Sequence, residues 1–214
     1  MRFAYAGSRT IIDFPDLRLG RGEQLLLTGG SGTGKSTLLH LIAGLIDPDS
    51  GRIEVGGQNI HSMQGAARDR YRGRTIGMIF QTFNLLSGFS AIENVMAAMM
   101  FSEIPPREHR GRAAKLLKQL GIERLEAEPD QLSVGQQQRV AVARAVACDP
   151  ILVLADEPTA SLDPENAGAA MDLIQQTCRE RNAALLCTSH DPAMTARFTN
   201  HIKLSTPLGT PAIV

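Results

Sequence analysis

At 214 residues, 43% of them hydrophobic, the chain is long enough for one domain whose sheet is covered on both faces. Twenty-two basic residues against 22 acidic ones leave no formal net charge, which excludes the whole-molecule field that draws proteins to nucleic acid or anionic lipid; no nucleic-acid partner is expected. Cys148, Cys178 and Cys187 are odd in number and lack Cys-x-x-Cys spacing, so they read as buried thiols of a reducing compartment rather than as a disulfide framework or metal site.

In chain order, the N-terminus (Arg2, then Phe3, Ala4, Tyr5 and Gly7) has no apolar run before a small-residue cleavage site and does not read as a signal peptide. Leu25-Leu26-Leu27 is the first short apolar run, followed by a helical pattern over Thr37 to Leu45. Ile53-Glu54-Val55 before Gly56-Gly57 reads as a short edge hairpin. Ile76 to Phe80 is a second apolar run. Residues 84 to about 145 then hold helical periodicity, as in Ala113, Leu116, Leu117 and Leu120, with Pro105-Pro106 and Pro129 as punctuation and no strand. The longest apolar stretch there, Val95 to Phe101, falls far short of the ~18 to 20 residues that span a bilayer, and the chain is expected to stay in the cytoplasm. Ile151 to Ala155 and Ala184 to Cys187 are two further apolar runs, separated by a helix over Gly168 to Arg181. Near-continuous apolar strands alternating with helices predict an α/β fold with a mostly parallel sheet. A helical subdomain is expected to be inserted at about 84–145 between core segments 1–83 and 146–214, all within one domain.

In open parallel sheets, ligands bind beyond the carboxyl ends of the strands, and each predicted strand here runs into polar, chemically useful residues. The first enters Gly29-Gly30-Ser31-Gly32-Thr33-Gly34-Lys35-Ser36, a complete match to the phosphate-binding pattern G-x-x-x-x-G-K-[ST]. Its glycines let backbone amides turn toward phosphate oxygens, and the next helix offers its positive N-terminus. Lys35 is suited to the β and γ phosphates and Ser36 to Mg²⁺. The strand at 151–155 ends in Asp156-Glu157, a carboxylate pair that needs a compensating cation among apolar neighbours; Asp156 suits Mg²⁺ and Glu157 the polarisation of an attacking water. Gln81 and His190 end the other two strands. A lone glutamine is ordinarily a surface residue and a lone histidine before Asp191-Pro192 ordinarily a turn residue, but together they put an amide and an imidazole at the edge that holds Lys35 and Asp156. Away from the strands, Ser133 and Gln136 have capping-box spacing before a helix from about 137 to 145. This is either a well-capped helix or a second anion-binding helix end with a flexible Gly135.

These ordered motifs resemble the ATP-binding cassette family along essentially the whole chain. Gly29 to Ser36 is similar to its Walker A loop, Gln81 to its Q-loop, Leu132 to Gln136 to its signature motif, and Ile151 to Glu157 to its Walker B strand and catalytic glutamate. Ser161-Leu162-Asp163 is similar to the D-loop, His190 to the switch histidine, and Tyr5, 24 residues before Gly29, to the aromatic residue that stacks on adenine. The resemblance implies a P-loop NTPase (RecA-like) core with a small antiparallel β subdomain and the helical insertion. It implies ATP hydrolysis with Glu157, His190 and Gln81 as catalytic residues. ATP contacts would come from Tyr5, Gly29, Gly30, Ser31, Gly32, Thr33, Gly34, Lys35, Ser36, Thr37, Ser133, Gly135, Gln136 and Asp163, and Mg²⁺ would be held by Ser36, Gln81 and Asp156.

Two copies would meet head to tail, Ser133 and Gly135 of one completing the site built on Lys35 of the other, and would energise a separate transmembrane permease at the inner face of the cell membrane. Phe80 to Leu86 with Ile92-Glu93-Asn94-Val95, and Ala155-Asp156-Glu157-Pro158-Thr159, are most similar to the lipoprotein-releasing and macrolide-exporter group, in which the groove after the Q-loop receives a helix of the membrane subunit. The chain departs from the family pattern with Val134 where glycine is commonest and with a start only four residues before Tyr5. It stops soon after His190, and no C-terminal regulatory domain is expected. The alternative is a signalling or mechanical module that moves a membrane partner without cargo; a DNA-repair or translation type would need a long coiled coil or second cassette.

Overall fold

The computed structural model describes residues 1–5 and 11–204. In chain order the elements are β1 (Arg2–Ala4), β2 (Ile11–Asp13), β3 (Gln24–Thr28), α1 (Lys35–Ile42), β4 (Glu54–Val55), β5 (Gln58–Asn59), α2 (Gly65–Thr75) and β6 (Ile76–Ile79). There follow α3 (Ala91–Met99), α4 (Pro106–Gln119), α5 (Val134–Val146), β7 (Leu152–Asp156), α6 (Pro164–Glu180), β8 (Ala184–Ser189) and β9 (Asn200–Lys203).

The central sheet has five parallel strands in the order β6-β7-β8-β3-β9. The apolar runs form its interior because successive residues of a strand point to opposite faces, and here both faces are covered. Leu26, Val153, Ala155, Leu185 and Cys187 join one buried cluster with α3, α4, α5 and α6. Leu25, Leu27, Leu154 and Leu186 join the other, with α1 and the small hairpins. At roughly 1.5–3 kcal/mol for each fully buried large aliphatic side chain, these strands are a main source of stability, and they hold their carboxyl ends at fixed spacing.

The expected edge hairpin is present: β4 and β5 pair antiparallel across Gly56-Gly57, with φ of +59° and +76°, the backbone of a two-residue type I′ turn. The expected α/β fold with parallel core, small antiparallel sheets and helical insertion is the one observed. The stretch read as mostly helical resolves into α3, α4 and α5, packed on one another around Val95, Met99, Ala113, Leu117, Val140 and Val142.

Four elements are additional to those predicted. Helix α2 buries only Tyr71 and Thr75 and is polar on its remaining surface, so it has no apolar stripe to read. Strand β9 is an edge strand with mostly exposed side chains, and β1 pairs with β2 over three residues. Helix α1 starts two residues earlier than expected, because Gly34 caps it in a left-handed conformation, and it ends before Gly44 at φ +66°. Among the described residues, no helix is long and apolar enough to cross a membrane.

Candidate functional site

The loop from Gly29 to Gly34 leaves the carboxyl end of β3 and delivers the chain into α1. Two of its glycines are required by space. A Cβ at Gly29 would lie 2.7 Å from Thr33 Oγ1 and 3.1 Å from the Leu204 carbonyl, and one at Gly34, whose φ is +92°, would meet Ile12 at 3.0 Å. Thr33 Oγ1 donates to the Gly30 carbonyl at 2.9 Å, tightening the loop. Lys35, only 8% exposed, folds back across it, and Nζ donates to the carbonyls of Gly29 at 2.9 Å and Gly30 at 3.1 Å. The ammonium is thereby aimed at the loop's interior.

Asp156 ends β7 and accepts from Thr188 Oγ1 at 2.7 Å, while the same hydroxyl oxygen accepts from the Glu157 backbone N–H at 3.0 Å. Thr188 is fully buried in β8 and therefore orients both acidic residues at once. Sequence reading missed it, although its hydroxyl is a polar departure at the end of an otherwise apolar strand.

Glu157 has φ +47°, an uncommon backbone state for a non-glycine residue. This turns its side chain back over the sheet edge. Its carboxylate lies 3.5 Å from Lys35 Nζ and 2.7 Å from His190 Nδ1, and it accepts from the His190 backbone N–H at 3.3 Å. Glutamate and lysine are largely buried, at 13% and 8% side-chain exposure, whereas His190 is 64% exposed. The site is therefore a buried ion pair with a solvent-facing imidazole on one end.

Lys35, Glu157 and His190 open on one cavity of about 700 Å³, lined also by Tyr5, Ile12, the loop from Gly30 to Thr37 and Gln81, while Gly29 and Asp156 are not among its lining residues. Tyr5 stands at its rim with its hydroxyl 2.8 Å from Thr37 Oγ1 and its ring edge-on to Phe3. Ser36 is exposed to the cavity, and Gln81, just past β6, is exposed as well, its carbonyl accepting from Ser161 Oγ at 3.1 Å. A larger cavity of about 1000 Å³ lies near the other ends of the strands, by Leu25, Leu152 and Ala184. It gathers no comparable set of cationic, acidic and amide groups from strand ends.

Ser133, Gly135, Gln136 and Asp163 do not line the cavity of their own chain. Ser133 caps α5 by a reciprocal box: its Oγ accepts from the Gln136 N–H at 3.3 Å, and the Gln136 side-chain oxygen accepts from the Ser133 N–H at 3.0 Å. The cap uses a lone pair of the hydroxyl and leaves its O–H free to donate. A Cβ on Gly135 would meet nothing within 4 Å, and Val134 is half exposed, so this helix end faces open space. Asp163 caps α6 through Asn166, whose side-chain and backbone N–H groups hold the Asp163 carboxyl below the usual carboxylate range.

The donors present suit a magnesium nucleotide: one carboxylate already oriented by Thr188, one free serine hydroxyl, one amide, and a glycine loop with a buried ammonium. Among the described residues no group of three or more His, Cys, Asp or Glu side chains is placed to hold a metal ion by itself. Mg²⁺ in nucleotide sites takes one or two carboxylates at most and shares its coordination with phosphate oxygens and waters, which the donors here fit.

Comparison with known proteins agrees with this geometry. Residues 13–160 match the family model described as ABC transporter. The chain is 39% identical over 196 residues to the lipoprotein-releasing system ATP-binding protein LolD of Chromohalobacter salexigens, covering 91% of this chain and 83% of that one. It is 42% identical over 193 residues to the protein of the same name from Psychrobacter arcticus, covering 89% and 85%. Among solved structures, a dimeric post-hydrolysis state of the ATP-binding cassette MJ0796 bound to ADP and Pi superposes with a TM-score of 0.82 at 32% identity, covering 95% of this chain and 91% of that one. The cbiO1 protein of Clostridium perfringens, part of the ABC transporter complex cbiONQ, superposes with a TM-score of 0.83 at 29% identity, covering 95% and 82%. The chain belongs to the ABC transporter family, as one of its ATP-hydrolysing cassettes.

Proposed function

We propose that this cassette binds MgATP in the cavity beneath Tyr5, hydrolyses it across a head-to-tail pair of copies, and thereby drives a separate transmembrane permease. The observation that carries this reading is the convergence of Lys35, Glu157, His190 and Gln81 on one cavity with a glycine loop at its base. Incoming phosphates compete with Glu157 for Lys35. Lys35 then neutralises the β and γ oxygens, while backbone amides of Gly30 to Ser36 and the N-terminus of α1 cradle them. Tyr5 stacks on the adenine. Ser36, Gln81 and Asp156 would hold Mg²⁺, which when bound would supply charge neutralisation at the phosphates.

Once released from Lys35, the Glu157 carboxylate orients and deprotonates the attacking water, and His190 holds that carboxylate in place from the solvent side. The site of one copy is completed by the other. Ser133 with its free O–H, the open Gly135, and the N-terminal amides of α5 near Gln136 meet the γ phosphate of the opposite copy, with Asp163 beside the shared boundary. We divide the chain into a core, about 1–83 and 146–214, and a helical subdomain, about 84–145, that carries this helix end.

A groove of about 320 Å³ beside β6, lined by Phe80, Ala98, Phe101 and Arg144, presents the exposed Phe101 next to the exposed Met100. We assign it to a permease helix, which places the cassette at the cytoplasmic face of the membrane. The relatives named for lipoprotein release make a lipoprotein-handling permease the first partner to test. The deciding experiment is Glu157→Gln with saturating MgATP: ATP stays bound, turnover falls to near background, and sedimentation shows a trapped dimer. A variant that remains monomeric and hydrolyses normally would show that the base and the paired site are both wrongly assigned.

A further inference from the structure

The turn after Gln81 is strained, and an arginine from another element holds it. Phe83 and Asn84 are consecutive non-glycine residues with φ of +58° and +47°, a state that persists only where surrounding structure enforces it. Local bonds close the turn, from the Phe83 N–H to the Phe80 carbonyl at 3.1 Å and from the Asn84 N–H to the Thr82 carbonyl at 2.6 Å. Closing the turn does not by itself account for where the two strained carbonyls point. Both face Arg144 of α5: Nη2 donates to the Phe83 carbonyl at 2.6 Å and Nη1 to the Asn84 carbonyl at 2.5 Å.

The planar fork of a guanidinium is suited to two adjacent oxygens, as an ammonium is not. Arg144 makes no ion pair with a carboxylate among the described residues, and its desolvation lowers its pKa from the usual arginine value. A cation is thus partly buried for the sake of two carbonyls of the Gln81 turn. A helix residue needed only for packing would not require that charge.

The turn is also tied on its other side, where the Gln81 carbonyl accepts from Ser161 Oγ at 3.1 Å. Arg144 lies eleven residues beyond Ser133, about 16 Å along the same helix at 1.5 Å per residue. A rigid helix therefore joins the end that faces open space to the turn that carries Gln81.

We propose that Arg144 is a positioning residue that sets the left-handed turn at Phe83-Asn84, and so the placement of the Gln81 amide at the cavity, according to the position of α5. Movement of the Ser133 end of α5 is transmitted through Arg144 to Gln81. The proposal rests on the reading of Gln81 as a residue of the nucleotide site.

The experiment measures kcat, ATP affinity and melting temperature for Arg144→Met, Arg144→Lys and Gln81→Ala, with and without Asn84→Gly in the arginine variants. Arg144→Met is expected to lower kcat about tenfold while ATP affinity stays within about twofold, because the loop around Lys35 is built from other elements. Arg144→Lys, with no fork, is expected to be intermediate. Adding Asn84→Gly, which takes a left-handed backbone without strain, is expected to recover most of the lost kcat. If kcat falls only in step with melting temperature and Asn84→Gly recovers nothing, Arg144 merely stabilises α5 and the proposal is overturned. Should Arg144→Met fail to fold, the Arg144→Lys pair gives the same decision. Full turnover in Arg144→Met beside a defective Gln81→Ala overturns this proposal alone, whereas full turnover in Gln81→Ala overturns the reading on which it rests.

Discussion

Lys35 and Glu157 hold each other, and that contact predicts a measurable competition with the phosphates of ATP. At 3.5 Å between Nζ and Oε1, the Coulomb attraction at an effective dielectric of about 20 is about 5 kcal/mol. Desolvation of two largely buried groups offsets much of it, and Glu157 keeps His190 as a second partner. The net coupling should fall near that of a charge-assisted hydrogen bond, about 1.5–3 kcal/mol. A double-mutant cycle of Lys35→Met and Glu157→Gln, read by urea unfolding without nucleotide, is expected to show that coupling. The same term should reappear in binding. Glu157→Gln frees Lys35 for phosphate, so equilibrium titration with fluorescent ATP should show affinity rising by about tenfold, the equivalent of about 1.4 kcal/mol. Lys35→Met should weaken binding outright. Additivity within about 0.5 kcal/mol, together with unchanged ATP affinity in Glu157→Gln, would refute the competition.

Ser133→Asp preserves a capping oxygen but sets a carboxylate where a phosphate is assigned, so urea unfolding should stay near wild type while ATP-driven dimerisation and turnover disappear; normal hydrolysis would remove Ser133 from the shared site. Gln138 is almost fully buried, and its Nε2 has no partner among the described residues. Gln138→Met should therefore leave stability unchanged or raise it by about 1 kcal/mol, and a loss beyond that size would show that the amide is satisfied. Burial pushes the Cys178 thiol up to about 12 and Cys187 higher, while Cys148 is raised less and is half-buried. Thiol reagents at pH 8 should label Cys148 first, and Cys187 only as the chain unfolds. Because the unfolded thiols titrate near 9.0 and the folded ones above that, the unfolded chain binds fewer protons above that pH, and stability should fall as pH rises past it.

Much of the core and of the polar cluster at the strand ends could be read before any fold was known. The four apolar runs announced buried parallel strands because a strand covered on both faces tolerates little else, and the full G-x-x-x-x-G-K-[ST] pattern announced the phosphate loop because that backbone path excludes side chains at Gly29 and Gly34. The capping box of Ser133 and Gln136 is local along the chain and was legible for that reason. Helix α2 and strand β9 were not, since the first lacks an apolar stripe and the second is an exposed edge.

By itself, the sequence determined that four apolar runs lead into the glycine loop with Lys35, into Gln81, into Asp156-Glu157 and into His190. Tertiary structure alone decided the order β6-β7-β8-β3-β9, which sets β7 beside β8 and so places Thr188 against both Asp156 and Glu157. It alone decided that Lys35 is held by Glu157, and that Arg144 clamps the turn beyond Gln81. Each of these contacts joins residues 31 to 122 positions apart, as in Lys35 with Glu157. Local propensity and spacing act over a few residues, whereas such pairings come into being only when the sheet closes and its strand ends meet.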